Sequence, residues 1–283
     1  WDHDSMSVHI ADITPKTTIG KRDFGANAIN TYGETVTAFF DYFLKGENNG
    51  FIDNKRIRYF NIGDDDWRET DEWPPASSEV QSLYLSPNKM LSINTPSQNS
   101  VSGYTYDPSK PVTITEGTNI WSRSAQMRER SVLLERDDVL VFETEALEED
   151  LEITGDISLE LFASSSAIDT DFTAAIVDVY PDGYSLLIQE GILRASHRNK
   201  NESPSHINPN EIYQFNIDLW STSYVIPAGH QLRLEISSSN FPRFARNLNN
   251  GEPFGMSSNI VTAYQKIYFG EKHPSRLLLP VIR

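Results

Sequence analysis

Cysteine does not occur anywhere in the 283 residues. Its absence removes disulfides, thiolate nucleophiles and cysteine-ligated zinc or iron–sulfur clusters. It leaves the compartment open, because oxidising and reducing environments both accept such a chain. Positive charge is scarce: 24 Lys and Arg stand against 40 Asp and Glu, a formal charge of −16. A surface of that sign repels phosphate backbones, and no Lys/Arg block offsets it, so nucleic acid is excluded as a partner. No apolar run approaches the roughly 20 residues that a membrane-spanning helix needs. The opening WDHDSMSVHI has neither the basic nor the apolar segment of a secretory leader, and no membrane partner is expected.

Catalytic and metal signatures are also missing. No G-x-S-x-G elbow occurs, and the serine runs at 164–166 and 237–239 lie beside strand patterns, where hydroxyls serve edges and turns. The six histidines (His3, His9, His197, His206, His230, His273) show no H-x-x-x-H spacing. Asp64, Asp65 and Asp66 begin no calcium loop, since Glu69 and Pro75 occupy the positions that require glycine and glutamate. They read as a solvated acidic turn. Asp169 and Asp171 read as a turn entering a strand, with a bound cation as the alternative. No cofactor and no metal are expected.

What is present is a core. With 38% hydrophobic and 11% aromatic residues, the chain is long enough for one large domain or two ordinary ones. Between residues 26 and 45, Ile29, Tyr32, Val36, Phe39, Phe40 and Phe43 recur at three- and four-residue steps, the stripe of a core-facing helix that Gly46 stops. Residues 56–62 alternate as a strand does, and the acids, tryptophans and prolines that follow predict a boundary near 73–76. Beyond it the period is two: Ile157, Leu159, Leu161; Tyr213, Phe215, Ile217, Leu219; Leu232, Leu234, Ile236. Turn signals separate these strands, and no second helical stripe of comparable length appears. The expected fold is mainly β, an antiparallel sandwich or jelly roll from residue 76 onward. His230 and Arg233 are assigned to an alternating strand, Arg243 and Arg246 to tying down a loop, and Trp67, Trp73 and Trp220 to anchoring the junction and the sheet packing.

Several longer phrases carry a resemblance. They are Trp1-Asp2-His3; FFDYFLKGENNG (39–50); NIGDDDWRETDEWPP (61–75); YDPSKPV (106–112); RDDVLVFETEAL (136–147); DTDFTAAIVDVYPDGYS (169–185); and AGHQLRLEISSSNFPRFARN (228–247). In this order they resemble the cocaine esterase/X-Pro dipeptidyl-peptidase (CocE/NonD) family of serine hydrolases, over nearly the whole chain. Asp2 and Ala245 depart from residues common in that family.

The resemblance implies that residues 1–75 are the C-terminal remnant of an α/β-hydrolase catalytic core, with its last helix and strand, and that 76–283 form the family's jelly roll. His3 is then the triad base of the W-x-H phrase. The nucleophile, triad acid and oxyanion donors belong to an upstream half, which becomes the expected partner, with a small acyl ester or amide as substrate. The chain is expected to be the C-terminal portion of a larger hydrolase and inactive by itself. TEGTNIW (115–121) is similar to the loop that lends an apolar wall to the family's substrate pocket, although Glu116 stands where a glycine is common. Ile120 and Trp121 become the expected substrate-binding residues, with packing inside the sandwich as the alternative. A stand-alone jelly-roll carbohydrate-binding module is the rival reading. A sandwich that only assembles homo-oligomers is a third.

Overall fold

The structure, a computed structural model, describes residues 17–19, 22–29, 32–113, 129–253 and 255–283. A two-stranded hairpin, β1 (Thr18–Ile19) and β2 (Arg22–Asp23), precedes the helix α1 (Tyr32–Lys45). Lys45 lies in the last turn, where a cation meets the negative end of the helix dipole. Gly46, at φ 72°, supplies the left-handed turn that ends it, and the Gly46 and Glu47 N–H groups return to the carbonyls of Tyr42 and Asp41. The expected strand at 56–62 appears as β3 (Ile57–Asn61), paired antiparallel with β4 (Asp66–Thr70).

Everything from β5 (Ser78–Leu85) onward is strand-rich, and the strands fall into two sheets. Seven build the larger sheet: β5, β6 (Leu91–Ser92), β7 (Ser100–Tyr106), β9 (Leu151–Ser165), β12 (Tyr213–Ile226), β14 (Ala263–Phe269) and β15 (Arg276–Ile282). Along one margin β9 pairs with β12, and along the other with β15 and then β14. The second sheet has the order β11-β10-β13-β8, formed by β8 (Leu140–Glu143), β10 (Asp171–Val179), β11 (Ser185–Arg194) and β13 (Gln231–Ser237). Every pairing between named strands is antiparallel.

The alternating residues read from the sequence face the space between the sheets. Leu159, Leu161, Phe215, Ile217, Leu219, Leu232, Leu234 and Ile236 are fully buried and share one core cluster. Phe172 meets Phe215 across the sheets at 4.8 Å between ring centroids, and Phe142 meets Phe269 at 5.9 Å. β10 does not alternate, because all nine of its residues are buried. Its second face is covered by the chain flanking residues 114–128, so DFTAAIVDV reads as a run rather than an alternation.

Trp220 is a correction. It is 61% exposed, with φ 65°, where the β12/β9 register shifts between Asp218 and Ser221. The bulge sets Leu219 in the core and turns the next residue outward, so Trp220 anchors no packing. Trp73 reaches the sandwich, its indole N–H standing 3.3 Å from both Asp156 Oδ1 and Ser221 Oγ. Trp67 instead packs within its own segment, its indole N–H donating to the Asn27 carbonyl at 2.9 Å.

Three buried phenols make the fold sensitive to alkali. Burial pushes the Tyr104, Tyr106 and Tyr224 hydroxyls well above the usual tyrosine range, and at Tyr224 the Asp178 carboxylate adds to the effect. Unfolded tyrosines ionise near pH 10 while these do not, so the unfolded state binds fewer protons above that pH. The stability they contribute is complete below pH 10 and is lost as pH rises beyond it, by up to about 1.4 kcal/mol per phenol per pH unit. An alkaline titration followed by circular dichroism and tyrosinate absorbance is expected to show the exposed tyrosines ionising first and the buried three only in the step in which the circular dichroism is lost. Ionisation of all the tyrosines without unfolding would contradict it.

Candidate functional site

Of the residues singled out for chemistry, His3, Ile120 and Trp121 lie outside the described residues. The structure does describe the helix after His3, the hairpin before that helix, and both stems of the segment that holds Ile120 and Trp121.

The helix has no buried residue. The stripe expected to face a core is open: Phe39 and Phe40 are 41% and 48% exposed, Phe43 54% and Leu44 76%, and Tyr32 and Ile52 are also exposed. Phe39, Phe43 and Phe51 stack on one another at 4.8 to 6.3 Å and form an aromatic platform. Its rings pack among themselves, since α1 is amphipathic and the sandwich core lies elsewhere.

The segment from β1 to β4 is bound to the end of the sandwich by charge and hydrogen bonds. Arg22 pairs with Asp65 at 2.9 Å and lies beside Tyr180 and Tyr224. Burial works against its charge, but Asp65 prevails and raises the guanidinium's affinity for its proton. Behind it, Asp178 accepts from the Tyr224 hydroxyl at 2.8 Å and contacts His230 Nδ1 at 2.7 Å, while Tyr180 stacks on the imidazole at 4.4 Å. His230 precedes β13 instead of lying within it. At the junction Arg68 bridges Asp64 and Glu152, and Ile62 exchanges backbone hydrogen bonds with Ser223 and Val225 on the margin of β12. The acidic turn 64–66 is therefore paired rather than simply solvated: Asp66 accepts from Asn27 at 2.8 Å.

The two stems of residues 114–128 rest on the outer face of β10. On entry, Val112 N–H donates to Ser239 Oγ at 2.8 Å and the Val112 carbonyl accepts from Phe241 N–H at 2.9 Å. On exit, Arg130 N–H donates to the Ser185 carbonyl at 2.8 Å. The Arg130 side chain, 6% exposed, donates from Nε to Glu235 at 2.7 Å. Glu190 accepts from Asn240 at 2.8 Å and pairs with Arg243, and Arg233 donates to Glu143 at 2.6 Å. This buried ionic layer was not legible in the sequence, where its members are scattered among unrelated strand patterns. Arg246 holds the Pro108 carbonyl at 2.8 Å, so the two loop arginines tie the chain as expected.

Among the described residues, no group of three or more His, Cys, Asp or Glu is arranged to hold a metal ion. At Asp169 and Asp171 a side chain takes the place of a cation: Arg194 contacts Asp171 at 2.9 and 3.2 Å, and Asn247 donates to both carboxylates. Burial pushes the Asp171 carboxyl above the usual range, against the pull of Arg194. The serine runs are structural. Ser237 bonds Thr173 at 2.7 Å, Ser238 bonds Tyr104 at 2.9 Å, and Ser164 bonds Tyr268 at 3.1 Å.

The geometry defines a two-sheet antiparallel sandwich preceded by a helical segment whose apolar face is uncovered. Residues 49–278 match the family model described as X-Pro dipeptidyl-peptidase C-terminal non-catalytic domain, and the chain belongs to that family. The cocaine esterase of Rhodococcus sp. (strain MB1 Bresler) is 35% identical, over 100% of this chain and 50% of its own length. Among solved structures, an aminopeptidase from a marine sediment Thaumarchaeota archaeon matches with a TM-score of 0.82 and 25% identity, over 94% of this chain and 47% of that one. An alpha-amino acid ester hydrolase matches with a TM-score of 0.80 and 26% identity, over the same shares. The chain thus spans about half the length of the relatives it matches.

Proposed function

We propose that this chain is the C-terminal portion of a serine hydrolase that cleaves small acyl esters or amides. On this reading residues 1–75 complete an α/β-hydrolase core and 76–283 are its jelly roll. The observation that carries the reading is the uncovered platform of Phe39, Phe40, Phe43 and Phe51, in a chain that spans half of relatives named as esterases and a peptidase. An upstream half is the occupant that fits. It would cover rings that otherwise remain in water at a cost of about 25 cal/mol per Å².

The chemistry follows from the parts. His3 takes the proton of an upstream serine hydroxyl as that oxygen attacks the acyl carbon, then gives it to the leaving alcohol or amine. Water repeats the sequence on the acyl-enzyme. Ile120 and Trp121 line the acyl pocket from the jelly-roll side.

Co-expression with the upstream half tests the interface. The two polypeptides are expected to co-purify and to hydrolyse a small ester, whereas the Phe39→Asp/Phe43→Asp variant should lose association. Because those rings lie outside the sandwich core, the variant's own unfolding midpoint should change by no more than about 0.5 kcal/mol equivalent. Undiminished association of the variant would remove the platform from the interface. A glycan-binding sandwich with no affinity for the upstream half would favour the module reading.

A further inference from the structure

We infer that the cavity between β10 and the stems of residues 114–128 is a binding site for a single water molecule, held by Arg130, Glu235 and Asn240. This does not depend on the function proposed above. The cavity measures about 10 Å³, close to the least that one water requires, and is lined among others by Arg130, Ala175, Glu190, Glu235 and Asn240.

Three buried polar atoms of residues that line it have no hydrogen-bond partner: Arg130 Nη1, Glu235 Oε1 and Asn240 Oδ1. Their residues are 6%, 3% and 6% exposed, so bulk solvent does not serve them. Arg233 Nη1, likewise unpartnered, stands 3.9 Å from Glu235 Oε1, but Arg233 does not line the cavity. The Asn240 amide orientation is fixed by chemistry, because its Nδ2 donates at 2.8 Å to the Glu190 carboxylate, which can only accept. The lining residues therefore hold one unserved donor and two unserved acceptors. A water molecule is their complement, accepting from Arg130 and donating to Glu235 and Asn240.

Other occupants of that size fit less well. An ammonium or metal cation could not accept from Arg130, and a halide could not donate to the two oxygens. The surrounding charges offer no net field to recruit an ion, since Arg130, Arg233 and Arg243 face Glu143, Glu190 and Glu235. Arg130 Nη1 and Glu190 Oε2 stand 3.6 Å apart, beyond a direct hydrogen bond, so Glu190 does not satisfy that donor. Leaving three buried polar groups unserved would be costly.

Ala175 supplies the test. It lies directly opposite Glu190 on β11 and Glu235 on β13, so its side chain shares their face. Ala175→Val and Ala175→Thr insert side chains of the same shape, one of which retains a hydroxyl. If the space holds a water, both displace it but only threonine replaces part of its hydrogen bonding. The valine variant should then melt about 2 to 4 °C below the threonine variant. Equal melting of the two variants, or a higher value for valine, would mean that no polar atom is within reach of the space and would overturn the inference. A crystal structure of the unmodified chain with ordered solvent should show one peak about 2.7 to 3.2 Å from all three atoms. A side chain of residues 114–128 in that space, a peak with the contacts of an ion, or no peak would overturn it as well.

Discussion

On the function proposed above, changing His3 to alanine in the longer hydrolase is expected to lower kcat by about 10⁴-fold or more, with the unfolding midpoint unchanged. The size follows from what a triad base does. Without it the serine hydroxyl keeps its proton, the attacking oxygen is a poor nucleophile, and the leaving group departs unprotonated. Members of a triad act as a unit, so the loss of one costs nearly as much as the loss of all. Substrate binding uses other surfaces, and KM should stay within a few-fold. Steady-state kinetics on an activated ester and on its amide counterpart would show the fall in kcat for both. Retained turnover would remove His3 from the mechanism. In the isolated chain the same substitution should change neither activity, which is absent on this reading, nor the circular dichroism spectrum.

Replacing Arg130 by methionine is expected to destabilise the sandwich by about 3 to 5 kcal/mol. Arg130 donates to Glu235 at 2.7 Å in a layer where Glu190 and Glu235 are 2% and 3% exposed. Its removal leaves the Glu235 carboxylate without its guanidinium partner at a site closed to bulk solvent, and the cost is the desolvation of that charge rather than the loss of one attractive contact. The double variant Arg130→Met/Glu235→Met removes both partners and should recover most of the loss. Urea unfolding of the two variants separates these terms, and equal destabilisation by the single and double changes would contradict the account. The layer clasps the exit stem through Arg130, so the single variant should also make residues 129–135 more open to protease.

Much of the architecture could be read from residue order. The stripe Tyr32, Phe39, Phe40, Phe43 became a helix, and the alternations around Leu159, Ile217 and Leu234 became strands of the core, because a 3.6-residue and a 2-residue repeat each commit one face. Trp73 of the junction phrase became a join between hairpin and sandwich. Reading failed where a side chain's neighbour is distant in the chain. His230 finds Asp178 at a separation of 52 residues and Arg130 finds Glu235 at 105, and no local spacing records either meeting. It failed again at Trp220, because a tryptophan's size suggests burial whereas its place after Leu219 in the alternation, held by the bulge, puts it on an uncovered face of β12.

The order of residues by itself determined the mainly β class, the family, the one long helix and the identity of the inward-facing strand positions, since each depends on periodicity or on a contiguous phrase. Only the tertiary structure decided that the aromatic face of the helix stands uncovered, that both faces of β10 are buried, and that an ionic layer underlies the stems of residues 114–128. The physical reason is that burial and ion pairing belong to whatever surfaces the packed sheets bring together. A chain states which side chains are apolar or charged, but not which of them will lack a cover.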